Sequence, residues 1–248
     1  MTFAALFGAG LAAGLINVLA GGGSFITLPV LMFLGFPAGI ANGTNRVGIL
    51  FQNIVATWRF DRYGVLDRRA LIWAALPATA GAVIGVWLAL HTSDAAFKRL
   101  LAFLMIAVSL WSLWSSRRES AGEAPEMQPD TRPSLVVPAG LFVCGVYGGF
   151  VQAGVGFLVL AVLSWAGLDL VRGNAVKVVT ILCLTGLSLA IFAANGRVDW
   201  TAGLSLAAGT MIGGALGARL TVLKGHRWVR GVVTIAVIVF AVKLVLGD

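Results

Sequence analysis

Ala20-Gly21-Gly22-Gly23-Ser24-Phe25-Ile26-Thr27-Leu28-Pro29 divides an apolar run that otherwise reads as one long membrane helix. Three consecutive glycines weaken a helix and leave backbone amides without partners. Inside hydrocarbon, such amides persist only where protein or a water-filled cavity receives them. The stretch therefore predicts a backbone break inside a membrane protein, with a ligand site at the break. In isolation a flexible turn or a close helix crossing would explain the same glycines.

The composition sets the class. The chain is 59% hydrophobic and 11% charged, with a mean hydropathy of +0.94. A soluble domain carries about 25% charged residues. An all-α polytopic membrane protein is expected, with the lipid bilayer as its surroundings and no sizeable soluble domain. The net charge of +8 does not indicate nucleic acid, because the basic residues sit in short loops beside apolar runs, as in membrane proteins generally. The first charged residue is Arg46, so the N-terminal segment reads as a first membrane segment and not as a signal peptide. Cys144 and Cys183 lie in apolar runs without metal-ligand spacing. His91 and His226 fall in loops, no serine motif has a base, and Gly21–Gly23 lacks the lysine and strand context of a phosphate loop. Neither an enzyme nor a cofactor nor a metal site is expected.

Outward from the glycines, Thr2–Ala20 and Ser24–Phe36 form two apolar pieces. The second would rise about 20 Å as a helix, short of a hydrocarbon core of about 30 Å. The pair reads as a hairpin, re-entrant or spanning, with the glycines at its tip. Asn42–Trp58, Ala70–Leu90 and Phe97–Trp114 follow as spans, and the mixed-charge, proline-bearing segment 115–134 reads as a linker. After it the pattern recurs at an offset of 132 residues: Gly22, Phe25, Leu28, Val30 and Leu31 fall on Gly154, Phe157, Leu160, Val162 and Leu163. Gly35 and Asn42 fall on Gly167 and Asn174, and Gly64, Gly81 and Gly85 on Gly196, Gly213 and Gly217. The corresponding spans are Leu135–Gln152, Gly156–Ala166, Asn174–Ala193, Ala202–Val222 and Val229–Leu246. The expected organisation is transmembrane repeat 1 over 1–114, a cytoplasmic linker over 115–134 and transmembrane repeat 2 over 135–248. Each repeat is a broken-helix hairpin followed by three transmembrane helices.

Loop charge orients the repeats. Loop Arg59–Arg69 carries four arginines, whereas its counterpart Asn195–Asp199 carries Arg197 balanced by Asp199. Loop Lys224–Arg230 is basic, and its counterpart at His91–Arg99 has Asp94 and, at its far end, Lys98 and Arg99. Matched loops differ in opposite senses, which predicts inverted-topology repeats. Both termini then fall outside the cytoplasm. Tryptophans near span ends read as interfacial anchors, and glycines at four-residue spacing (Gly81 and Gly85; Gly209, Gly213 and Gly217) as close helix packing.

The candidate chemistry lies beside the breaks. At about 100° per residue, Asn42, Arg46 and Asn53 share one helix face within roughly 40°, flanked by Asn45 and Gln52. The second copy carries Asn174, Lys177, Thr185 and Ser188. A cation within a span faces a cavity or a partner, or snorkels to the surface. No carboxylate in a span is available to neutralise Arg46 or Lys177, and an unpaired cation on a polar face suits an anion. Helices starting at Ser24, a candidate N-cap, and near Gly156 would add free amides and positive dipole ends. The expected substrate-binding set is Gly21, Gly22, Gly23, Ser24, Asn42, Asn45, Arg46, Gln52, Asn53, Gln152, Gly154, Gly156, Asn174 and Lys177. Asn17 and Tyr147 are expected to make interhelical hydrogen bonds.

Certain of these residues carry a resemblance. Gly14-Leu15, Gly21-Gly22-Gly23-Ser24-Phe25-Ile26, Leu28-Pro29-Val30-Leu31, Gly35 and Ala41-Asn42-Gly43-Thr44 form the first motif. Gly148-Gly149-Phe150, Gly154, Gly156 and Asn174-Ala175-Val176-Lys177 form the second. Over nearly its whole length the chain resembles the sulfite exporter TauE/SafE family of bacterial membrane transporters. The resemblance implies movement of sulfur-containing anions such as sulfite or sulfonates across the inner membrane. The expectation is therefore a secondary transporter exporting a small sulfur-containing anion by alternating access. The alternative is a transporter or channel for a cation or neutral metabolite. A homo-oligomer is compatible with either.

Overall fold

The computed structural model describes residues 2–19, 21–103, 107 and 135–246, with the backbone alone for Thr2, Arg68 and residues 224–246. The linker 115–134 lies outside the described residues, as do Trp111 and Trp114. Among the described residues every regular element is a helix: α1 (Thr2–Leu19), α2 (Ser24–Phe33), α3 (Ala38–Arg62), α4 (Arg68–Leu90), α5 over 94–103, α6 (Val136–Phe150), α7 (Val155–Trp165), α8 (Leu170–Ala194) and α9 (Trp200–Leu246). Segments Arg69–Leu90, Leu170–Ala194 and Trp200–Leu223 are long and apolar enough to cross a membrane. Ile72, Leu76, Phe103, Val143 and Trp165 face outward, as on a surface solvated by lipid. The chain is an all-α membrane protein.

Both helix breaks are present. Gly21, at φ +102°, separates α1 from α2, and Gly154, at φ +76°, separates α6 from α7. These are left-handed backbone positions that favour glycine. The pieces after the breaks have 10 and 11 residues, roughly 15–17 Å of helix, about half a hydrocarbon core.

Equivalent elements recur at the offset read from the sequence. Helices α3 and α8 each have 25 residues. The turns before them carry left-handed Gly35 and Gly167, and those after them Gly64 and Gly196. Asp67 then accepts hydrogen bonds from the amides of Arg69 and Ala70 at the start of α4, and Asp199 accepts one from Ala202 at the start of α9. Each acid satisfies amides that the first turn of a helix leaves open. Asp169 does the same for Val171 and Arg172 in α8.

The two halves interlock. Helix α1 packs on α9 and α6 on α4, while α3 contacts α9 and α8, and α8 contacts α4. Small residues permit this. A Cβ added to Gly81 or Gly85 of α4 would lie 2.1 or 2.0 Å from the carbonyl oxygen of Phe142 or Val146 in α6. Reciprocally, one at Gly145 or Gly149 would lie 2.0 or 2.2 Å from that of Ala78 or Ala82. Gly209 and Gly213 of α9 stand in the same relation to Phe7 and Leu11 of α1. The four-residue glycine spacing is thus a close-packing device.

Three local expectations are corrected. Ser24 is the first residue of α2 and not its N-cap; Gly23 holds that place without a side-chain bond. Helices α3 and α8 begin four residues before Asn42 and Asn174, so Arg46 and Lys177 sit about two turns inside them. The basic stretch 224–230 is helical backbone within α9 and not a loop. It contains no proline, and the one glycine, Gly225, costs only about 1 kcal/mol in a helix.

Gly145→Val should destabilise the protein by about 1–3 kcal/mol through overpacking. Gly140→Ala, whose added Cβ would meet Val162 at an ordinary 3.4 Å, should be near neutral. Thermal unfolding in detergent compares the two. Asp169→Ala should cost about 0.5–2 kcal/mol through the lost cap, and Asp169→Asn much less, by the same measurement.

Candidate functional site at the crossed helix breaks

The two glycine tips touch. A Cβ on Gly21 would lie 2.4 Å from Cα of Gly156, and one on Gly156 would lie 2.3 Å from Cα of Gly21. The contact continues on either side as a matched exchange. The Phe157 ring covers Gly22 and the Phe25 ring covers Gly154, each 2.7 Å from where a Cβ would stand. Only glycine admits this approach. The amides of Gly22, Gly23 and Ser24 in one tip, and of Ala153, Gly154 and Gly156 in the other, have no hydrogen-bond partner among the described residues. Unpaired amides at the start of two helices make a site that favours anions.

Each break also ends a helix, and its last carbonyls need donors. The donors come from the other half of the chain. At the end of α6, Arg46 of α3 donates from Nη1 to the carbonyl of Gly148 at 3.2 Å and from Nη2 to that of Gly149 at 2.6 Å, and Asn42 donates to Phe150 at 2.8 Å. At the end of α1, Lys177 of α8 donates to the carbonyls of Asn17 at 3.3 Å and Val18 at 2.9 Å, and Asn174 donates to Leu19 at 3.3 Å. Three successive carbonyls are thus satisfied at each end, two by a cation and one by an asparagine.

Arg46 and Lys177 are each 0% exposed, so neither snorkels. Neither meets a carboxylate, and no Asp or Glu is buried among the described residues. Arg46 also donates to Oε1 of Gln152 at 3.1 Å and lies 4.7 Å from the ring centroid of Phe192. Its Nε is buried without a partner, as are Oδ1 of Asn42 and of Asn174.

The remaining predicted residues form a polar belt. Asn45 donates to the Ser24 hydroxyl at 3.2 Å and accepts from the Thr27 hydroxyl at 2.5 Å, bracing α2 against α3. Asn17 donates to Gln52 at 3.2 Å, and Gln52 donates to Asn53 at 3.5 Å. Gln152 donates to the Thr185 hydroxyl. Tyr147 donates to the carbonyl of Ala153 at 2.6 Å, across the second break. The tips, both cations, Asn42, Asn174, Asn45 and Gln152 are therefore brought together. Asn53 touches the cluster only through Gln52. Asn17 makes the interhelical bond expected of it, whereas Tyr147 of α6 bonds to the turn that leads into α7.

The sequence did not reveal the backbone carbonyls that Arg46 and Lys177 address, nor the exchanged rings of Phe25 and Phe157. The two phenylalanines are matched at the repeat offset and adjoin the glycines, which is the signal that could have found them.

Residues 6–244 match the model of the family described as Sulfite exporter TauE/SafE. A "Probable membrane transporter protein" of Haemophilus influenzae is 29% identical over 98% of this chain and 94% of its own length. "Probable membrane transporter protein ORF9" of a Sinorhizobium species is 30% identical, covering 96% of this chain and 90% of its own. "Probable membrane transporter protein YfcA" of Escherichia coli K12 is 28% identical over 96% and 88%. No solved structure matches. With a family match across nearly its full length, two crossed helix breaks and relatives named as membrane transporters, the chain belongs to the sulfite exporter TauE/SafE family.

Proposed function

We propose that this membrane transporter exports a small sulfur-containing anion, sulfite or an organosulfonate, by alternating access about the crossed tips, in a bacterial inner membrane. The observation that carries the reading is the meeting of two glycine breaks whose amides are unpaired while their carbonyls are not. Substrate oxygens accept from the amides of Gly22, Gly23 and Ser24 and of Gly154 and Gly156. Arg46 and Lys177, with Asn42 and Asn174, contribute positive charge from behind the tips. Asn45, Gln52, Asn53 and Gln152 hold the frame.

The chemistry fits an oxyanion. Helix N-termini carry about half a positive charge each, and two of them converge here. The fixed cations cancel the opposing negative ends of α1 and α6. A cationic cargo would find no buried carboxylate among the described residues. The family's name points to sulfite. In this reading 1–114 and 135–248 act as inverted repeats joined by a cytoplasmic linker at 115–134.

In proteoliposomes the protein should carry sulfite saturably, with competition from short sulfonates and thiosulfate. Sulfite flux equal to that of protein-free vesicles, with folded protein inserted, would overturn the proposal. Gly21→Ala combines a positive φ with a clash against Gly156. Such strain costs on the order of 1–3 kcal/mol, so sulfite flux should fall at least about tenfold even where the variant remains folded.

A further inference from the structure

A broken membrane helix is ambivalent towards ions. The piece that ends offers carbonyls and a negative pole, and the piece that begins offers amides and a positive pole. Elsewhere such ends serve both purposes: amides hold anionic groups, while unwound carbonyls coordinate sodium or protons. In this chain the carbonyl function is taken at both breaks by side chains from the opposite half. Gly148, Gly149 and Phe150 accept from Arg46 and Asn42. Asn17, Val18 and Leu19 accept from Lys177 and Asn174.

We infer that Arg46 and Lys177 are specificity-determining residues that occupy the places of alkali cations at the two helix ends, making the breaks selective for anions and independent of sodium and potassium. Each places nitrogen donors of a cationic side chain among carbonyl oxygens, the place a bound metal ion would otherwise take. The alternative acceptors are poor. No carboxylate is buried among the described residues, and no group of three or more acidic, histidine or cysteine side chains there could hold a metal. Each asparagine that donates to one of these carbonyls also carries a buried, unpartnered oxygen: Oδ1 of Asn42 and Oδ1 of Asn174. An asparagine oxygen together with two or three backbone carbonyls is an oxygen-rich set of the kind hard cations take. At each break the fixed cation blocks that set.

The duplication supports a shared role over coincidence. Arg46 and Lys177 do not occupy matched positions: Lys177 corresponds to Asn45, and Arg46 to Val178. Each helix nevertheless delivers one cation to the carbonyls of the other half's break. Arg46 uses its planar fork to reach adjacent carbonyls, whereas the ammonium of Lys177 is a point charge between two. The charge and its target are kept although the residue and its register differ.

This inference deepens the transport reading, but its primary test is independent of flux. Thermal unfolding of the purified full chain is followed in sodium chloride, potassium chloride and choline chloride at matched ionic strength. The wild type should unfold at the same temperature in all three. Lys177→Gln and Arg46→Gln remove the charge while keeping a donor, and should each be stabilised by at least about 2 °C in sodium over choline, since an ion bound only by the folded state raises its stability. Lys177→Arg and Arg46→Lys should return to indifference, an outcome that a purely structural role would not produce. A wild type stabilised by sodium over choline would overturn the inference without recourse to any variant. So would folded glutamine variants that remain indifferent. The two breaks are measured separately, so a failure of one variant to fold leaves the other decisive. Sulfite flux is read alongside: absent flux with the expected sodium responses would reject the substrate while leaving the ion replacement intact.

Discussion

Backbone carbonyls at the end of a helix must find donors, and hydrocarbon supplies none. This chain ends two helices early, at Leu19 and Phe150, and so exposes two sets of carbonyls to that requirement. The donors come from α3 for the break after α6 and from α8 for the break after α1. At each break the last three helix carbonyls accept from the opposite half. The same hydrogen bonds that make a discontinuous helix tolerable therefore hold the halves together. Burying an arginine and a lysine without acids would ordinarily be costly. Here the desolvation is offset by carbonyls whose negative pole is itself buried, and each group supplies what the other lacks.

The packing of the long helices follows the same crossed logic. Glycines of α4 receive α6, and glycines of α9 receive α1, so contacts run from α1 to α9, α3, α8, α4 and α6. A motion that parted the two sequence halves as rigid bodies would break both glycine-lined contacts at once. The tips meet over a smaller set of contacts: the Gly21–Gly156 backbone approach and the two ring-on-glycine contacts beside it. The Phe25–Gly154 and Phe157–Gly22 contacts are the ones whose local geometry repeats between the halves.

Much of this was legible in the sequence. The glycine run, the polar face of α3 and the repeat offset located the breaks and the residues beside them, because glycine and buried polar groups are rare enough in apolar segments to signal a cause. Side-chain targets were less legible. Arg46 and Lys177 read as cations awaiting an anion, since their partners are main-chain oxygens and every residue has one. The start of α3 at Ala38 was hidden because Pro37 and the small residues after it resemble a loop. The helical stretch at 224–230 was hidden for the opposite reason: clustered basic residues mark loops in membrane proteins, yet nothing there breaks a helix.

The two breaks are alike in charge but not in shape. Arg46 engages Gln152 and the Phe192 ring in addition to its carbonyls, and Gln152 in turn reaches Thr185. The position matched to Gln152 is Ala20, and that matched to Thr185 is Asn53; among the described residues the first break carries a different chain of bonds, from Asn17 to Gln52 to Asn53. Among the described residues Lys177 donates there to two carbonyls. A planar guanidinium fixed on three sides is hard to displace, whereas a single ammonium on a flexible stem can follow a moving carbonyl. The two breaks thus each carry a cation, and they differ in what holds it: a side chain and a ring besides carbonyls for Arg46, carbonyls for Lys177.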